Sequence, residues 1–191
     1  RRPPRSTLFP YTTLFRIFVE GTDDERIFDK IFKPLLLEKY NFVKIIEYAT
    51  LNKQVVKNFV RTFKSQGVSE YLFVCDFDGK ADKSLCITKR KDKENKKFDN
   101  ILDKDKILIV KEEIESWYLA GITQTNLEKF KIKEFKNTEL IDKEQFRRLI
   151  PKKFQNKTDF LIEILKEFDI EEGRNRNSSM NYFVTKFELT K

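Results

Sequence analysis

Apolar residues gather along this chain in short runs separated by longer amphipathic stretches, the rhythm of strands alternating with helices. Ile17, Phe18 and Val19 predict a first strand, turned by Glu20 and Gly21 into a helix. Thr22 with Glu25 three residues on has the spacing of a capping box at that helix's start. Ile27, Phe28, Ile31, Phe32, Leu35 and Leu36 continue at helical spacing, with Pro34 expected to kink or split the helix. Residues 43–48 predict a second strand, and Val55, Val56, Phe59, Val60 and Phe63 a second helix closed by Gly67. Tyr71, Leu72, Phe73, Val74 and Cys75 are apolar without periodicity, which predicts a strand buried on both faces and stopped by Gly79. Residues 107–110 predict a fourth strand after a polar insertion, and residues 113–120 a short helix entered directly from it.

Strands and helices alternating at this spacing predict an α/β domain of Rossmann-like type: a parallel four-stranded sheet flanked by helices over residues 17–121. In the flavodoxin-like strand order the first and third strands are neighbours at the switch point, which would bring Glu20 beside Asp76 and Asp78. After Gly121 the chain is lysine-rich and less patterned. Helices are expected at 159–168 and 179–187, forming a helical extension over 122–191 packed on the same sheet.

Composition narrows the chemistry. The chain of 191 residues is 39% hydrophobic and 37% charged and has no apolar run approaching a membrane span. Two cysteines, Cys75 and Cys86, are too few for a disulfide framework and lack zinc-ligand spacing, which points to a reducing, cytoplasmic setting. There is no histidine, so histidine triads, Cys-His pairs and histidine-held metals are excluded within this chain. Half of the formal charge of +8 comes from Arg1, Arg2, Arg5 and Arg16, in an acid-free stretch (residues 1–16) that repeats TLF and resembles a translated sequencing adapter, with an Arg-rich transit peptide as the alternative. It is set apart here as an artefactual or disordered leader.

Asp76 and Asp78 stand at the carboxyl end of the third strand, where open parallel sheets bind ligands. Two carboxylates this close call for a proton, donors or a hard cation such as Mg2+. Together, IFVEGTDDERIF (17–28), VCDFDG (74–79) and VKEEIESWYLAG (110–121) resemble the TOPRIM domain, most closely the small TOPRIM-like proteins related to OLD-type nucleases. The resemblance implies a metal-dependent nuclease or another protein that processes nucleic-acid phosphodiesters, in a setting of prokaryotic phage defence. It implies Glu20 as general acid or base and Asp76 and Asp78 as holders of Mg2+ or Mn2+. Asp24, four beyond Glu20, would be a further ligand, with Glu115 at the late acidic position and Glu113 its rival.

The same residues carry a physical argument, since phosphodiester chemistry needs charge neutralisation and a polarised water or hydroxyl, which carboxylate-held divalent ions supply. Lys80, Lys83, Lys89 and Arg90, just after the DxD pair, are the candidate phosphate grip, diluted by Asp82, Asp92 and Glu94. Each element also has an ordinary reading: a helix cap for Glu20 to Glu25, caps for Asp76 and Asp78, a solvated face for the lysines and a core position for Trp117. Two other functions compete. DFDG resembles the nucleophile loop of haloacid-dehalogenase-like phosphatases, although Lys80 and the absent downstream acidic motif depart from it. A non-catalytic TOPRIM-like module binding nucleic acid or protein is the other. No Walker A loop is present, so an ATPase partner would be a separate subunit. Oligomeric state is not legible.

Overall fold

The computed structural model describes residues 14–66, 69–77 and 86–189. Four parallel strands form one sheet in the order β2-β1-β3-β4: β1 (Leu14–Val19), β2 (Phe42–Glu47), β3 (Ser69–Asp76) and β4 (Ile107–Val110). This is the expected Rossmann-like α/β arrangement, with β1 and β3 adjacent. The pairing of Phe18 with Phe73 on these strands, and of Asp76 with Val110 on β3 and β4, brings the carboxyl ends of β1, β3 and β4 to one side of the sheet. β1 begins three residues before Ile17, so Leu14, Phe15 and Arg16 lie in the sheet. Phe15 is fully buried, and the Arg16 guanidinium lies 4.5 Å from the centre of the Phe63 ring.

Alternation along β1 divides the interior. Phe15, Ile17 and Val19 face one cluster, whereas Phe18 joins Phe73, Tyr48, Val60, Phe63 and Phe98 on the other face. That second face is covered by α3 (Lys53–Gln66) and α4 (Ile87–Lys97). α4 occupies the stretch that reads as a polar insertion.

The first face carries α1 (Thr22–Ile27), a π-helical turn (Phe28–Phe32) and α2 (Lys33–Leu36) in succession. Pro34 sits in the first turn of α2, where its missing N–H is tolerated, and the wider π turn before it absorbs the interruption. α1 is capped by Gly21 with no side-chain hydrogen bond, so the Thr22–Glu25 capping box does not form. The same face is completed by α5 (Glu115–Ala120), α6 (Gln124–Phe130), α7 (Lys143–Leu149), α8 (Lys157–Lys166), α9 (Ile170–Arg176) and α10 (Ser178–Lys186). Phe183 of α10 packs on Phe28, Phe32 and Trp117 with ring centroids 5.3, 5.0 and 5.7 Å apart, so the extension and the sheet share one core. A buried polar chain fastens them: the Trp117 indole donates to Ser179 Oγ at 2.8 Å, and Ser179 Oγ donates to Asn177 Oδ1 at 2.7 Å. Among the described residues no helix is long and apolar enough to cross a membrane.

Candidate carboxylate pocket

Four elements deliver acids to one place at the carboxyl end of the sheet. Glu20 follows β1, Asp24 lies in the first turn of α1, Asp76 ends β3 and Glu115 opens α5. The turn from β4 into α5 is set by Glu112 in the left-handed region at φ 54, and the Phe77 N–H donates to the carbonyls of Val110 and Glu112 across it. The four acids line a pocket of about 440 Å³ together with Gly21, Thr22, Asp23, Arg26, Ala49, Ile114, Lys143 and Thr158. Acids in the first turns of α1 and α5 also sit where the helix dipole favours negative charge.

Three of these acids are deeply buried: Asp24 is 4% exposed, Asp76 3% and Glu115 0%. Asp24 Oδ1, Asp76 Oδ1 and Glu115 Oε2 are buried with no hydrogen-bond partner, an unusual density of unsatisfied carboxyl oxygens in one pocket. Burial, reinforced by the charge of Glu20, pushes the Asp24 carboxyl up to about 7. Burial together with the charges of Asp24 and Glu20 holds the Asp76 carboxyl well above the usual carboxylate range. Glu20 is more open; its Oε1 accepts a 2.9 Å hydrogen bond from the Tyr48 hydroxyl and lies 3.8 Å from Arg90 Nη2.

Lysines from the extension enter the same pocket. Lys157 Nζ lies 2.6 Å from Asp23 Oδ2 and 2.5 Å from Glu115 Oε1. Lys143 Nζ lies 3.3 Å from Glu113 Oε1 and 3.8 Å from Asp76 Oδ2. Burial alone would lower both ammonium groups, but the facing carboxylates prevail and raise them. Asp23 is lowered because hydrogen bonds from Lys157 and Arg26 outweigh its burial.

Of the residues singled out from the sequence, Glu20, Asp24, Asp76 and Glu115 therefore meet, and Glu113 lies at the margin, engaged by the backbone N–H of Lys143 and by its ammonium group. Asp78, Lys80 and Lys83 lie outside the described residues. Lys89 is exposed on α4. Arg90 is not a surface phosphate grip: it is 2% exposed, its Nε donates to the Asp76 carbonyl at 2.8 Å and its Nη1 lies 2.6 Å from Glu94 Oε2. A cation so enclosed braces the end of β3 from beneath. Tyr48, Asp23, Lys143 and Lys157 escaped sequence reasoning. Asp23 stands in a readable acidic run, but nothing local announces that two lysines more than 60 residues beyond Asp76 return to face it.

As they stand, no three acidic or cysteine side chains among the described residues are arranged to hold a metal ion. Carboxylate oxygens are the donor type that hard divalent cations take, and Asp24 Oδ1, Asp76 Oδ1 and Glu115 Oε2 are buried without a hydrogen-bond partner. Comparisons with protein-family models, curated proteins and solved structures return no match to this chain.

Proposed function

We propose that this protein is a TOPRIM-like, divalent-metal-dependent phosphodiesterase acting on nucleic acid. The observation that carries the reading is the set of buried, unpartnered oxygens on Asp24, Asp76 and Glu115, gathered at the carboxyl end of a parallel sheet where ligands bind. Buried carboxylates this crowded call for a proton or a cation, and Mg2+ or Mn2+ matches their oxygen chemistry. Asp24, Asp76 and Glu115 would hold the ion, joined by Asp78 from the adjoining DxD motif. When bound, such an ion supplies charge neutralisation at the phosphoryl group and lowers the pKa of a bound water.

The chain's own groups do the rest. Glu20, oriented by the Tyr48 hydroxyl and more open than its neighbours, is the residue placed to accept or return a proton. Lys143, between Asp76 and Glu113, supplies positive charge at the pocket. A phosphatase using Asp76 as nucleophile fits less well. An attacking carboxylate has to be reached by the substrate's phosphorus, whereas Asp76 is 3% exposed. A role in phage defence and a separate ATPase subunit remain implied by the family resemblance alone.

The test is calorimetric titration of Mg2+ and Mn2+ into the wild type and an Asp24→Asn/Asp76→Asn variant, followed by cleavage assays on oligonucleotides. The expected result is metal binding lost in the variant, with Glu20→Gln retaining metal but not turnover. Equal metal binding by wild type and variant would overturn the assignment.

A further inference from the structure

We infer that residues 143–158 form a basic strap that docks the nucleic-acid strand beside the carboxylate pocket. This rests on the reading proposed above and adds where the substrate is held.

Both ends of the strap lie on the pocket: Lys143 and Thr158 line it, and Lys157 is clamped between Asp23 and Glu115. The residues between them therefore leave the rim and return to it. Within this span stand six cations, Lys143, Arg147, Arg148, Lys152, Lys153 and Lys157, against a single acid, Glu144. The two terminal lysines are turned inward onto carboxylates. Arg147, Arg148 and Lys152 are exposed and make no ion pair among the described residues.

Exposed cations without an ion pair among the described residues also stand elsewhere, Arg61, Lys93 and Lys96 on α3 and α4 among them, so what sets the strap apart is its place beside the pocket. On the opposite face of the sheet Lys53 and Lys57 share Asp99, Lys64 pairs with Asp103, Lys97 with Glu94 and Lys104 with Asp92. Uncompensated positive charge beside an acidic pocket is what a polyanion needs there, because the pocket's own carboxylates repel phosphate.

The strap is also held in shape before any ligand arrives. A capping box of Asp142 and Gln145 fixes the start of α7, and the Asn156 side chain accepts from the Asp159 N–H at the start of α8. Lys153 lies over the rings of Phe130 and Phe154, 4.6 and 5.1 Å from their centroids. Arg147 is four residues beyond Lys143 and so shares its side of α7, about 6 Å further along the axis. A strand whose phosphate reaches Lys143 thus meets a second cation one turn on, with little ordering cost.

The experiment measures binding of a fluorescein-labelled single-stranded DNA oligonucleotide to the full chain by anisotropy, in EDTA, over a series of salt concentrations. An Arg147→Ala/Arg148→Ala/Lys152→Ala variant is expected to bind about tenfold more weakly at low salt, with a log-log salt slope shallower by about 2. Arg61→Ala/Lys93→Ala/Lys96→Ala, which removes the same charge from exposed positions on α3 and α4, is expected to bind like wild type. Circular dichroism melts establish that each variant is folded. Equal loss in both triple variants, or unchanged affinity and slope in the strap variant, overturns the inference. So does strap-dependent binding to phosphatidylserine vesicles without oligonucleotide binding, which would make the strap a membrane contact. Because EDTA removes metal from the assay, strap-dependent binding alongside failed metal titrations would refute the phosphodiesterase reading and leave the strap standing.

Discussion

The hydroxyl of Tyr48 donates a 2.9 Å hydrogen bond to Oε1 of Glu20, tying the first residue after β2 to the first residue after β1. Burial and the Glu20 charge push the Tyr48 phenol far above its ordinary value, so it acts only as a donor. Its ring packs on Phe73 at a centroid distance of 4.3 Å, and Tyr48→Phe keeps that contact. A hydrogen bond to a charged group contributes about 1.5–3 kcal/mol, so Tyr48→Phe should lower turnover about tenfold or more, chiefly in kcat, if Glu20 transfers the proton. Steady-state kinetics on an oligonucleotide that the wild type cleaves, beside a thermal melt, checks this; an unchanged kcat removes Tyr48 from the machinery.

Lys157 is the partner of Glu115 Oε1, and the other Glu115 oxygen is buried without one. Lys157→Met should destabilise the protein by about 1–3 kcal/mol, less than a fully enclosed pair because Lys157 keeps contact with solvent. Adding Glu115→Gln should recover part of that loss, since it removes the uncompensated charge. Chemical denaturation of the two single variants and the double variant reads the coupling; strictly additive losses would show that the two groups do not interact.

The Asp24 carboxyl rises from its ordinary 3.8 to about 7 on folding, so the folded state binds this proton more tightly than the unfolded chain. In EDTA, stability should therefore climb as pH falls from about 7 towards 4 and be lost as pH rises through 7, with Asp76 acting in the same direction. Asp24→Asn should flatten this dependence and raise Tm at pH 8, by about 2–4 °C for each kcal/mol gained in a chain of this size. Melts of both proteins across the pH range decide it; parallel curves would place Asp24 in a more polar setting.

Arg90 separates bracing from phosphate contact. Arg90→Ala should cost about 3–5 kcal/mol because it strands the buried Glu94 carboxylate and frees the Asp76 carbonyl. Lys97 also pairs with Glu94, which places the loss towards the lower end. A variant that loses oligonucleotide affinity at full stability would instead restore Arg90 to the substrate surface.

The sheet was legible because each strand is a compact apolar run and parallel crossovers leave few orders open; β4 runs over Ile107–Val110 as expected. α4 was not, because ITKRKDKENKK has no apolar stripe. It is fastened by polar groups instead, Arg90 and Glu94 to each other and Asn95 Oδ1 accepting from the Leu102 N–H, and such contacts leave no periodic mark. The acids of the pocket could be read from strand ends and motif spacing. The lysines facing them could not, since their placement depends on how α7 and α8 dock across the whole fold. The Thr22–Glu25 spacing was present without its cap, showing that a pattern allows a hydrogen bond and local geometry decides whether it forms.

The packing of Phe183 on Phe28, Phe32 and Trp117 bears on how the protein is made. All four strands leave the ribosome before α10 has been synthesised. Until then one flank of the nascent sheet lacks its cover, and its aromatic residues are exposed to whatever else is in the vicinity. Completion of the core therefore waits on translation of α10, and a ribosome stalled shortly after Gly121 would hold a chain prone to chaperone capture or aggregation.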